Sequence, residues 1–150
     1  MVAALATNTL NTLARRARRT SAVGAIQAAA YTAGGLALAL EAAIHAEQFA
    51  ALFSGVAWIG PLFIANAVAC FVVIAGLAYT PTRRFAALAG VGISTLALLS
   101  LVVSYAQGLF GYQEGGFRPE VAIAAYTEAG AVLALSAALA FSNATRSRES

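Results

Sequence analysis

Apolar residues gather into four long runs, roughly 22–47, 57–79, 85–107 and 120–141, separated by short polar connections. At a rise of ~1.5 Å per residue, each run is long enough as a helix to cross the ~30 Å hydrocarbon core of a bilayer. The pattern predicts an all-α fold, a four-transmembrane-helix bundle that takes residues 1–150 as a single integral membrane domain. Within the first run the polar residues are not scattered. Gln27, Tyr31, Gly34, Leu38, Glu41, His45 and Gln48 recur at alternating spacings of four and three, which lines them along one helical face. A polar stripe on such a helix belongs against protein or water, because unpaired polar groups are expensive in lipid.

Composition points the same way. The chain is 61% hydrophobic and 10% charged, against roughly 25% charged residues in soluble domains, so it lacks the polar surface to coat a water-facing globule. All nine basic residues are arginines, at 15, 16, 18, 19, 83, 84, 118, 146 and 148. With four crossings, every one except Arg118 falls on the same side. The positive-inside rule makes that side cytoplasmic, with N-terminus and C-terminus both inside, in a multi-pass protein of the cytoplasmic (inner) membrane. The basic pI near 9.5 is thereby explained by membrane-flanking clusters, and nucleic acid is excluded as a partner. The lipid bilayer is the partner implied, with other membrane subunits or a homo-oligomer left open.

Arginines followed by an alanine-rich run resemble a signal peptide, but the run exceeds the ~7–15 residue apolar core of such signals and three crossings follow it. It reads as an uncleaved first helix. Residues 2–19 are either an amphipathic interfacial segment, with Leu5, Leu10 and Leu13 on one face, or a frayed tail. Thr80-Pro81-Thr82-Arg83-Arg84 reads as a tight turn in which Pro81 ends the second helix. Gln48–Val56 and Gly108–Pro119 are longer connections on the outer side. The second carries Phe110, Tyr112 and Phe117 among four glycines, and reads either as a flap over the bundle mouth or as an aromatic-belt loop. Ala86, Gly90 and Ser94, and Gly130, Ala134 and Ala138, are small residues at four-residue spacing that allow close helix approach. The single cysteine, Cys70, has no intrachain partner and reads as a small buried residue.

Candidate chemistry concentrates in the outer half. Counted inward from the outer ends of the runs, Glu41, Asn66, Ser100 and Glu128 each lie roughly 9–12 Å deep, with His45 and Ser104 nearer the surface. If they converge, they form a polar pocket open to the outside. The inner half offers mainly Gln27, Tyr31 and Ser94. Each group also has a structural reading: Glu41 and His45 as a hydrogen-bonded pair, Asn66 as an interhelical donor, and Ser100 and Ser104 bonded to their own helix. Glu128 has no basic neighbour in its own run and is hardest to explain so. Glu41, His45 and Glu128 together are a chemically permissible set of metal ligands. A bis-histidine haem is impossible, since His45 is the only histidine. No nucleophile elbow, phosphate loop or paired serine and histidine points to an enzyme, and no cofactor is named.

His45, Gly60-Pro61-Leu62-Phe63-Ile64-Ala65-Asn66, Arg83-Arg84, Gly108-Leu109-Phe110-Gly111 with Glu114, and Glu128 resemble a group of small uncharacterised bacterial four-helix integral membrane proteins over about residues 36–140. The resemblance implies a membrane bundle and assigns no activity or site residue. The chain is similar to DoxX-like proteins in size and helix count only. Two functions follow as expectations. One is a non-enzymatic membrane module, an accessory subunit or small ligand-binding bundle with a polar pocket in the outer-leaflet half. The other is a proton-coupled small-molecule transporter using Glu41 as the exchange carboxylate. Small multidrug exporters resemble it in size, but the motif around their glutamate does not match and the arginine bias argues against dual topology.

Overall fold

In the computed structural model the backbone is described for residues 2–116 and 118–146, and side chains for Arg19, 21–116 and 118–142. Four helices make up the fold: α1 (Val2–Gln48), α2 (Ile59–Ala78), α3 (Arg83–Ala106) and α4 (Pro119–Arg146). All four are long and apolar enough to cross a membrane. Each helix packs on its two sequence neighbours, with α4 closing back on α1, while α1 and α3 barely touch across the diagonal. The bundle is therefore a four-cornered ring.

Its surfaces follow from lipid as solvent. The interior is built from Leu38, Ala42, Cys70, Ala87, Ala131 and Leu135, all fully buried, and small residues dominate it because close backbone approach replaces hydrophobic drive inside a bilayer. Large side chains face outward instead, with Phe85 74% and Leu133 71% exposed. Cys70 is buried and free, as its composition-based reading required.

The stripe on α1 faces the interior as predicted. Gly34, Leu38, Glu41, His45 and Gln48 are buried, and Gln27 and Tyr31 half-buried. Ala86, Gly90 and Ser94 are buried likewise, as is Ala138, while Gly130 and Ala134 are half-buried.

The end of the first helix differs from the sequence reading. The chain does not leave the helix at Gln48; it continues through a π-helical turn, Phe49–Phe53, making one apolar span of 33 residues, Ser21–Phe53. Between Gln48 and Gly55 no glycine or proline interrupts the chain. The wider turn lets Phe53 point inward, where it is 3% exposed and stacks on Phe63 with centroids 4.6 Å apart. Toward the start of the chain, α1 is continuous from Val2.

The turn after α2 forms as expected. The helix stops at Ala78, and Thr82 Oγ1 donates to the Gly76 carbonyl at 2.8 Å while Arg83 Nε donates to the Leu77 carbonyl at 2.8 Å. Two carbonyls that the helix end leaves without intrahelical partners are satisfied by the next helix's first residues.

Candidate functional site

Glu41 is the hub of a polar layer in the middle of the bundle. Its residue is fully buried, and its two carboxylate oxygens are held from two other helices. Asn66 Nδ2 on α2 donates to Oε1 at 3.0 Å, and Ser94 Oγ on α3 donates to Oε2 at 2.7 Å. His45, one turn on, contacts the Glu41 carbonyl through Nδ1 at 2.9 Å. Its Nε2 lies 3.8 Å from Oε1 of Glu128 on α4, too far for a hydrogen bond. Three helices thus share one hydrogen-bond network, with the Glu128 carboxylate of α4 set beside it.

Glu41, His45, Asn66 and Glu128 come together as the sequence reading anticipated. Ser94 does so unexpectedly. Counting depth from Gln48 places Glu41 level with Ser100; the π-turn moves the outer end of that helix to Phe53, so Glu41 sits deeper and meets Ser94. Ser100 and Ser104 instead line a cavity of about 360 Å3 between the network and the connections that follow α1 and α3.

That cavity is apolar along most of its wall, with Ile44, Phe63, Leu96 and Leu101 among its lining. His45, Asn66, Ser104 and Glu128 face it, whereas Glu41 does not. Two buried polar atoms there have no hydrogen-bond partner, Ser104 Oγ and Glu128 Oε2. An unpaired buried carboxylate oxygen is costly and calls for a partner.

Leu109, Tyr112 and Glu114 bring the connection after α3 over this cavity; Phe117, the third aromatic of that connection, lies outside the described residues. Tyr112 meets Phe53 edge-on at 5.1 Å. Glu114 takes a two-pronged contact from Arg118, at 3.2 Å from Nε and 2.9 Å from Nη2, and a hydrogen bond from the Tyr112 hydroxyl at 3.0 Å. Gly108 and Gly111 adopt φ of +81°, which glycine takes without steric cost. Tyr112 belongs to the flap over the bundle mouth that the sequence offered as one of two readings of this connection, whereas Glu114 was not singled out as a cavity residue.

Burial, then the hydrogen bond to Glu114, push the Tyr112 phenol above its ordinary value. A raised folded pKa means that this contact stabilises the loop fully below about pH 10 and is lost as pH rises through the higher folded value. Tyr112→Phe removes one half-exposed hydrogen bond worth about 0.5–1.5 kcal/mol. Amide exchange of Leu109–Gly116 should therefore rise on the order of fivefold, without change in the helices. Exchange equal to wild type at neutral pH would show that the phenol does not hold the loop.

At the other end, a second cavity of about 520 Å3 is lined by Gln27, Tyr31, Arg83, Arg84 and neighbouring residues. Arg83 stands over the Tyr31 ring at 5.6 Å, so the arginines add to Gln27 and Tyr31, two of the three polar groups expected in that half, the third, Ser94, lying in the Glu41 network.

These features define an all-helical bundle with four membrane-length helices and a buried carboxylate and imidazole cluster beneath a loop-covered cavity. No family model matches the chain, and neither does any curated protein or solved structure.

Proposed function

We propose that the chain is a non-enzymatic membrane binding module, acting alone or as an accessory subunit, whose outer cavity takes a small ligand with an apolar body and a hydrogen-bond-donating head. In this reading it sits in the cytoplasmic membrane with both termini inside, on the strength of the arginine distribution. The observation that carries the ligand is the pairing of an apolar cavity of about 360 Å3 with two of its lining residues, Ser104 and Glu128, whose buried Oγ and Oε2 have no hydrogen-bond partner among the described residues. A pocket of that size with a few convergent polar groups is the usual form of a small-molecule site.

The same layout ranks proton exchange at Glu41 second. Its carboxylate is sealed from the cavity and already takes two hydrogen bonds, leaving an exchanging substrate no direct approach. Ala124 lines the cavity and is 9% exposed, so Ala124→Phe fills the space. Native mass spectrometry of protein gently extracted from its own membrane should find a bound small molecule on the wild type and none on the filled variant. A bare wild-type chain would refute the ligand reading.

A further inference from the structure

Glu41, His45 and Glu128 each present one ligand atom, and these atoms all lie within 4.8 Å of one another. All three residues are buried. The tautomer of His45 follows from its neighbour. A backbone carbonyl can only accept, so in the 2.9 Å contact with Glu41 O the Nδ1 carries the hydrogen, and the neutral ring keeps its lone pair on Nε2. That lone pair lies 3.8 Å from Glu128 Oε1, beyond hydrogen-bond reach. The second Glu128 oxygen has no hydrogen-bond partner among the described residues. An electron-rich cluster of this kind, buried among apolar helices, calls for a positive charge at its centre.

The groups around it resemble the supports of a metal site. A metal-binding histidine is typically oriented by a hydrogen bond from its other nitrogen, and a ligating carboxylate by outer donors. His45 has the first through the Glu41 carbonyl, and Glu41 has the second through Asn66 and Ser94. Two carboxylates and a neutral imidazole neutralise a divalent ion, removing net charge from the membrane interior.

We infer that Glu41, His45 and Glu128 hold a divalent first-row transition-metal ion, through His45 Nε2 and one oxygen of each glutamate. A nitrogen and two oxygens without thiolate suit the zinc, iron and manganese range rather than copper(I). Bonds of about 2.0–2.2 Å limit ligand atoms to roughly 4.2 Å apart, so binding draws the cluster in by a small side-chain adjustment. Three protein ligands leave a coordination position for water or another donor, and the cavity walled by His45 and Glu128 is where it would lie. The inference goes beyond the organic-ligand reading and stands without it, since the ion needs only the three side chains.

The test is titration of the full chain, purified in detergent and stripped with chelator, using Co2+ and then Zn2+. The expected result is one ion per chain, with visible cobalt bands of the intensity given by four- or five-coordinate sites, and displacement of cobalt by zinc. Glu128→Gln, nearly isosteric, should weaken binding at least about a hundredfold, and Asn66→Ala about 10–100-fold through loss of orientation. Glu120→Gln, at an exposed carboxylate at the start of α4 outside the cavity, should leave affinity unchanged. If Glu128→Gln proves poorly folded, His45→Gln provides the same comparison. A helical wild-type chain that binds neither ion, or binding undiminished in a folded Glu128→Gln or His45→Gln variant, overturns the inference. Retained metal with an empty organic cavity would separate this site from the ligand reading above.

Discussion

Gly90→Leu is expected to prevent α3 from seating in the bundle, and Gly90→Ala to cost about 1–3 kcal/mol, the usual range for overpacking. A Cβ at Gly90 would lie 2.6 Å from Leu135 Cδ1, 3.2 Å from Val73 Cγ1 and 3.3 Å from Leu38 Cδ1. Those neighbours come from α4, α2 and α1, so all four helices meet at this point. Alanine's better helix propensity, roughly 1 kcal/mol over glycine, works in the opposite direction. It is outweighed because Leu135 and Leu38 are fully buried and have little space to withdraw into. Thermal unfolding in detergent, followed by circular dichroism, measures the loss. An alanine variant as stable as wild type would mean the core yields more easily than its packing implies.

Glu41→Leu should be the most destabilising change among the polar residues. It leaves the Asn66 amide and the Ser94 hydroxyl, each bonded to that carboxylate, without their acceptor inside the bundle. At about 1–2 kcal/mol for each interhelical hydrogen bond in a membrane, the cost is roughly 2–4 kcal/mol. Glu41→Gln keeps an amide oxygen for Asn66 and offers its NH2 to Ser94 Oγ, so it should cost under about 1 kcal/mol. It should nevertheless weaken metal binding, because an amide brings no negative charge. The pair separates support from chemistry: equal stability of the leucine and glutamine variants would show that the network does not brace the helices.

Much of the architecture was legible because lipid imposes a simple code. A long apolar run has few alternatives to a helix when every backbone group must be satisfied internally, and Pro81 with Arg83 and Arg84 marked one turn unambiguously. The α1 stripe was equally readable, since Glu41 and His45 are locked to one face by helical period. Ser94 was not. It entered the sequence reading as a small packing residue and as one of the few inner-half polar groups, and its partnership with Glu41 depends on where α1 ends. Phe49–Phe53 contains nothing that distinguishes a π-turn from an interfacial loop. The aromatic and glycine pattern of residues 108–119 offered a flap as one of two readings, but the contact of Tyr112 with Phe53 and the place of Glu114 in the cavity wall are tertiary and no local pattern encodes them.

The 33-residue apolar span of α1 has a consequence for the surrounding lipid. At ~1.5 Å per residue it measures about 50 Å, against about 30 Å for the 20 residues of α2. No single slab of hydrocarbon matches both. The flank formed by α1 must lean or protrude into the headgroups, while the α2 flank matches a core of about 30 Å without adjustment. The protein therefore meets its membrane as a wedge of uneven height, and bilayer thickness becomes a mechanical load borne at the end of α1, where the π-turn places Phe53 over the site.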